Sequence, residues 1–359
     1  MTIEPPAPSS EPPARVLPSL GDPPGPILPT DSFASAGRKA MWPHVERMFA
    51  REGPLRDPAE KDALKRYRVA TRRLRAALRV FRDAYSKREV KLIRTELAEL
   101  ARVVGAVRDL DVRIGALIEW AALVAMPLPA TDATVAKKPR PDRKLLASTL
   151  ASLEPLRAAW AAERAAGASV LAQRLDGKKH RRLLAELASF VAADDAPRST
   201  DGAPERAVQD RVASSIWAAY ELVRAYAPVM RGADLPTIHG LRVEAKRLRY
   251  TIEFLGDLIG PERTSLIERL VALQDHLGSL NDAALTVDAV HAFLADRGAT
   301  LAPQERVTIE RYLGDRAGEV ALLRRSIGRS WRPVVAITFA GRLARAVVVR
   351  PRSEVQPTS

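Results

Sequence analysis

Lys65, Arg68, Arg72, Arg75, Arg79 and Arg82 recur at intervals of three and four residues. On a helix turning about 100° per residue they fall within an arc of roughly 100°, so six cations make one stripe. The chemistry open to such a stripe is anion binding. Arginine dominates it, and a planar guanidinium offers two parallel donors to a phosphate and stays charged when partly desolvated. The stripe is about 25 Å long, which suits an extended anion better than a single phosphate group. From Leu64 to Arg82 the chain contains no acid, so no internal ion pair relieves the stripe. Like charges four residues apart cost a few tenths of a kcal/mol per pair unless an outside anion compensates them. Tyr67, Ala70, Thr71, Leu74, Leu78 and Phe81 define the core face of the same helix, and the stripe flanks that face by about 120°. A stripe so placed faces an inter-helix groove as readily as open water.

The stripe recurs. LKRYRVATRRLRAAL at 64–78 aligns without a gap on IHGLRVEAKRLRYTI at 238–252, an offset of 174 residues. Arg68, Arg72, Arg73 and Arg75 meet Arg242, Lys246, Arg247 and Arg249, and Lys65 meets His239. Glu253 ends the second run. Farther on, VGAVRDLDV at 104–112 aligns with LGSLNDAAL at 277–285, matching Gly105 to Gly278 and Asp109 to Asp282 at an offset of 173. Two motifs at one spacing argue for duplication, and the period is too long for a solenoid. Two similar helical halves packed as one unit follow.

The elements that position these residues are helices throughout. Apolar residues at three and four spacing predict segments near 33–52, 57–84, 87–124, 143–167, 178–193, 203–230, 235–258, 261–297, 302–327 and 331–348. VVAIT at 334–338 and VVV at 347–349 are the strand candidates, so an all-α fold is expected. Ten of the 27 prolines fall in the first 30 residues, where large apolar side chains are few. Residues 1–31 are therefore read as a disordered tail. The helical domain is expected over 32–348, with halves at about 32–195 and 203–348 and a C-terminal tail at 349–359.

Formal net charge is +14, from 57 basic and 43 acidic residues, and predicts a polyanionic partner. The absence of cysteine excludes disulfides, thiolate metal sites and cysteine nucleophiles. The N-terminus does not read as a secretory signal and no apolar stretch is long enough to span a bilayer, so a cytoplasmic protein without a membrane partner is expected.

The two motifs resemble those of the CHAD family, the conserved histidine α-helical domains. The signature is His followed by R-V-x-x-[RK]-R-L-R on one helix, with L-G-x-x-R-D or L-G-x-L-N-D some 35 residues later, the pair occurring twice. HGLRVEAKRLRY with LGSLND matches the second half, YRVATRRLRAALRVF with GAVRDLDV matches the first, and LDGKKHRRLLAELASFV at 175–191 is similar to the mid-domain helix. The resemblance covers roughly residues 32–348. It implies a helical domain of two four-helix-bundle-like halves that binds inorganic polyphosphate through basic residues lining a central groove or pore, often at polyphosphate granules. Carried over residue by residue, it implies binding by Lys65, Arg68, Arg72, Arg73, Arg75 and Arg79 in the first half and by His239, Arg242, Lys246, Arg247 and Arg249 in the second. Lys65 departs from the family, keeping a cation where the first histidine is expected.

Other chemistries fit less well. His239 has no second ligand at metal spacing on its helix, and the surrounding arginines repel a cation, so no metal or cofactor is expected. Asp109 and Asp111 invite Mg²⁺, but the counterpart at 281–283 is Asn-Asp-Ala. Asp109 and Asp282 are better read as partners that orient arginines of a neighbouring helix. Gly105 and Gly278 are read as allowing close helix contact, and the scattered tryptophans as core or interface. Tyr250 suits either a phosphate contact or a bundle contact. Nucleic acid is the alternative partner, since phosphate contacts alone bind without sequence preference. Against it, the stripe lacks the interleaved aromatics on which bases stack. An enzyme acting on polyphosphate is disfavoured, because no strand-rich module bearing paired glutamates and a lysine is present.

Overall fold

The computed structural model describes residues 17–56, 62–127, 140–193 and 207–348. Among these no strand forms, and a single isolated bridge joins Ser32 to Ala207. The first half runs through α1 (Phe33–Ala50), α2 (Ala63–Val80), α3 (Lys87–Val124), α4 (Arg143–Ser152), α5 (Glu154–Asp176) and α6 (Lys178–Ala192). The second runs through α7 (Val208–Arg224), α8 (Leu235–Phe254), α9 (Arg263–Arg297), α10 (Pro303–Val335) and α11 (Ile337–Val347). α1 packs on α2 and α2 on α3, while α7 packs on α8 and α8 on α9 in the same order. A one-turn 3₁₀ helix follows each motif helix, Arg82–Ala84 after α2 and Gly256–Leu258 after α8, at the 174-residue offset of the sequence repeat.

Local chemistry starts the long helices. Ser86 caps α3 in a reciprocal box with Glu89, its Oγ accepting from the Glu89 amide at 3.2 Å while the Glu89 carboxylate accepts from the Ser86 amide at 2.8 Å. Asp234 accepts from the Thr237 amide at 2.9 Å and opens α8, with Pro236 in the first turn, where its missing N–H costs nothing. α2 has no side-chain cap, so its helix is fixed by packing. Tyr67, Ala70, Thr71, Leu74, Leu78 and Phe81 are all buried. The four large apolar side chains of that face contribute about 2 kcal/mol each. This outweighs roughly 1 to 3 kcal/mol of repulsion along the stripe, so the core holds the cations in line.

The halves share their cores. One cluster runs from Phe33 and Met41 through Leu74, Leu97, Ile216, Leu248 and Leu273 to Phe339. A smaller one, around Leu117, Trp120, Trp160, Phe293 and Tyr312, joins the far ends of α3 and α9 to α5 and α10. Trp42, Trp120, Trp160 and Trp331 are buried and Trp217 packs on the main cluster.

Three sequence expectations change. The segment 143–167 splits at Leu153 into α4 and α5, which runs on to Asp176. The 302–327 segment continues through Gly328 and Trp331 to Val335, so VVAIT is not a strand: Val334 and Val335 end α10, Ala336 is extended and Ile337 begins α11. β-Branched propensity yields here because burial of Trp331, Val334 and Phe339 rewards a helix. Residues 17–31 are also placed, not a free tail: Leu17, Leu20 and Ile27 pack on the core and Lys39 binds Asp31 at 2.8 Å. The Asp31 carbonyl accepts from the Val208 amide at 2.8 Å, so this segment ties the start of α1 to α7. The disordered-tail reading of 1–16, the tail at 349–359 and the divide between the halves lie outside the described residues. Among those described, no helix is long and apolar enough to cross a membrane.

Candidate functional site

α2 and α8 pack against each other, and this contact brings the two stripes together. Arg68 and Arg72 come within electrostatic reach of both Arg242 and Lys246. Burial holds Arg242 below the ordinary guanidinium range, Asp282 and Asp109 oppose the shift, and Arg68 and Arg72 add to it. Lys246 is pushed down to about 7, first by burial and then by Arg242, Arg72 and Arg68, with Asp282 opposing. Nε of Arg72 and Nε of Arg242 are buried and have no hydrogen-bond partner. Three guanidiniums and the Lys246 amine therefore crowd one cradle in which donors remain unused, an arrangement that favours a bound anion.

Two carboxylates border the cradle. Asp109 on α3 accepts from Arg68 Nη2 at 3.0 Å, which orients that guanidinium. Its counterpart on α9, Asp282, is exposed and acts on Arg242 and Lys246 through its charge, while the neighbouring Asn281 meets His239 Nδ1 at 3.3 Å. Asp111 turns away to Arg164 at 2.7 Å. Lys65 and His239 are both exposed, near the N-terminal ends of α2 and α8. No group of three or more His, Asp or Glu residues with metal-holding geometry occurs among the described residues.

The structure sorts the other cations into two sets. Arg73 reaches Glu253 at 3.2 Å and Arg249 donates to the same carboxylate at 3.0 Å, so two predicted anion ligands share one internal counterion. Their guanidiniums also lie over the Tyr250 ring, at 5.8 and 4.9 Å from its centroid. Tyr250 is buried and stacked on Phe254, which makes it a bundle contact. Glu253 keeps only 15% of its side-chain exposure. Removing one member of a buried pair costs several kcal/mol, and partial exposure of Arg73 reduces this to about 2 kcal/mol. Glu253→Gln is therefore expected to lower the unfolding free energy by that amount, read as a lower urea midpoint with an unchanged m-value, and an unmoved midpoint would show that Glu253 neutralises nothing.

Arg75, Arg79 and Arg247 belong to the second set and line a cleft of about 1350 Å³ beside the cradle. Burial and Arg79 depress Arg75. Arg82 of the same stripe also lines the cleft, paired with Asp83, and the basic residues that sequence reasoning missed are Lys87, Lys91, Arg94 and Arg102 on α3, Arg174 on α5 and Lys179 on α6. The signal was present, because the α3 cations follow one another at four, three and eight residues and share a face. Glu89, Glu96 and Glu99 between them hid it.

The glycine expectation is corrected. A Cβ built on Gly105 or Gly278 meets no heavy atom within 4 Å, so neither permits a close helix contact. Close contact falls instead at Gly240, where a Cβ would meet the Tyr226 hydroxyl, and at Gly37, where it would meet Tyr85 and Phe81.

The sequence model of the CHAD domain matches residues 39–291, well over half of the chain. The chain belongs to the CHAD family. The fold of this CHAD protein is similar to the crystal structure of the CHAD domain from the plant Ricinus communis, with a TM-score of 0.55 at 19% identity, covering 89% of this chain and 94% of that one. It is also similar to PptA from Streptomyces chartreusis, with a TM-score of 0.61 at 16% identity, covering 84% of this chain and 100% of that one. At such identities the likeness concerns the fold, and it fits the all-α architecture described above. No curated protein matches the chain.

Proposed function

We propose that this CHAD protein is a non-enzymatic module that binds inorganic polyphosphate in the cradle between α2 and α8. The observation that carries the reading is the convergence of Arg68, Arg72, Arg242 and Lys246 at one partly buried place, with two guanidinium Nε atoms left without partners. Three guanidiniums and a Lys246 amine held at about 7, bordered by two carboxylates of which one is engaged by Arg68, keep an excess of positive charge that a bound anion would neutralise. A linear phosphate polymer supplies closely spaced negative oxygens, and guanidinium and ammonium donors suit them. The membership of a family identified with polyphosphate binding supports the same ligand. In a cell the protein would then sit in the cytoplasm at polyphosphate granules.

The cradle offers nothing for base stacking: Tyr250, the aromatic beside it, is buried against Phe254. Specificity is tested by displacing labelled polyphosphate with unlabelled polyphosphate, DNA and RNA at one salt concentration. Polyphosphate is expected to compete at least about tenfold better than either nucleic acid, and equal displacement by all three would make the protein a general polyanion binder.

A further inference from the structure

The cradle has an exit on one side. Past Arg72, the α2 stripe continues as Arg75 and Arg79, and these face Lys87, Lys91 and Arg94 of α3 and Lys179 of α6 across the basic cleft. The two acids in the lining are already engaged, Glu99 with Arg102 and Glu96 with Arg174. Among the described residues, none of the six cations just named has a carboxylate at ion-pair distance.

The second half has no equivalent. At the 174-residue offset, Glu253 stands at the position of Arg79, and Arg249, at the position of Arg75, is tied to that glutamate. At the 173-residue offset of the α3 and α9 motifs, Gly260, Thr264 and Ile267 stand where the first half has Lys87, Lys91 and Arg94. At these matched positions the duplicated fold therefore carries free cations in the first half alone.

Cradle and cleft also border one face of α3. Asp109, Gly105 and Arg102 follow one another along one face of α3; Asp109 holds Arg68 of the cradle and Arg102 lines the cleft. Between them Gly105 presents no side chain, and a Cβ there would point into open space. Glycine costs a helix about 1 kcal/mol relative to alanine, and no packing at this position compensates it. Gly278 is as open at the matching position of α9, and in the first half this opening lies between Arg68's partner Asp109 and the cleft residue Arg102.

We infer that the cradle and the first-half cleft form one track, so that a long linear phosphate chain binds asymmetrically, one stretch between α2 and α8 and the next along α2 and α3. The inference rests on the phosphate-chain reading above and adds a direction and a length requirement to it. From Asp109 to Lys91 the track follows α3 for about 27 Å, which three linked phosphates cannot span.

The test compares tripolyphosphate with long-chain polyphosphate on the full chain. Lys91→Glu with Arg94→Glu is expected to weaken the long chain at least about tenfold and to make its log K against log salt shallower by about 1 to 2, with tripolyphosphate unchanged within about twofold. Gly105→Leu, which fills the passage with a better helix former, is expected to keep or raise the melting temperature while lowering long-chain affinity at least about fivefold. Unchanged long-chain binding in both variants overturns the track, and so does an equal loss for both ligands, which would make the cleft the primary anion site. Arg68→Glu with Arg242→Glu separates the two claims: if that variant binds both ligands as the unaltered protein does, the phosphate-chain reading itself has failed.

Discussion

Arg68 and Arg242 changed together to glutamate are expected to weaken polyphosphate binding by at least about a hundredfold and to leave helicity intact. The two residues hold matching positions in the repeat, one on each wall of the cradle, and both act on Lys246. A charge-assisted hydrogen bond contributes about 1.5 to 3 kcal/mol. Loss of two such bonds alone gives a factor of about 10² to 10⁴, before the introduced carboxylates repel the ligand. Folding is little affected by comparison. Arg68 is 38% exposed and stands off the buried face of α2, so its replacement removes repulsion from Arg72 and adds a repulsion of similar size from Asp109. Isothermal titration and far-ultraviolet circular dichroism report the two quantities separately. Arg143→Glu with Lys144→Glu on the exposed side of α4 makes the same change in net charge away from the cradle, and is expected to cost only a few-fold through the long-range field. Equal losses in the two double variants would mean that general charge, with no defined site, governs binding.

How much of this was legible in the sequence depends on how local the signal is. The core face of α2 and both ends of α3 follow from periodicity and from punctuation such as Ser86 and Glu89. The repeat brought Arg68, Arg72, Arg242 and Lys246 forward together before any contact was known. What it could not show was which cations are already satisfied. Glu253 lies on α8, 180 residues beyond Arg73, and only the packing of α2 on α8 makes it a shared counterion for Arg73 and Arg249. The cleft was hidden for a related reason. The α3 cations share a face, but the acids interleaved with them read as an ordinary mixed helix until Glu96 and Glu99 are seen bound to Arg174 and Arg102. Tertiary context also overrode the strand propensity of VVAIT and the proline content of residues 17–31, because each segment covers apolar surface of the main core.

Lys246 makes the second large effect, a dependence of affinity on pH. Its amine sits among Arg242 on its own helix, Arg68 and Arg72 on α2 and the more distant Asp282 on α9, and is held at about 7 in the free protein. A bound polyanion favours the charged form, so binding takes up a proton whenever Lys246 begins neutral. Well below pH 7 the amine is charged in both states and contributes no pH dependence. Above pH 7 the free protein must gain the proton on binding, and affinity falls by up to about tenfold per pH unit. Between pH 6 and pH 8 a loss of about tenfold is expected for the long chain, and Lys246→Arg, which stays charged throughout, is expected to flatten the profile. Measuring both proteins with His239→Gln removes the imidazole of the same helix from the comparison. Stability moves the other way. The ordinary lysine value is 10.5, so the unfolded chain holds the proton more tightly, and the folded state gains at most about 1.4 kcal/mol per pH unit as pH rises from 7 toward 10.5. Rising stability with falling affinity over one pH range, both abolished by Lys246→Arg, would identify this amine as the titrating group. A profile equally steep in Lys246→Arg would assign the proton to the ligand or to another side chain.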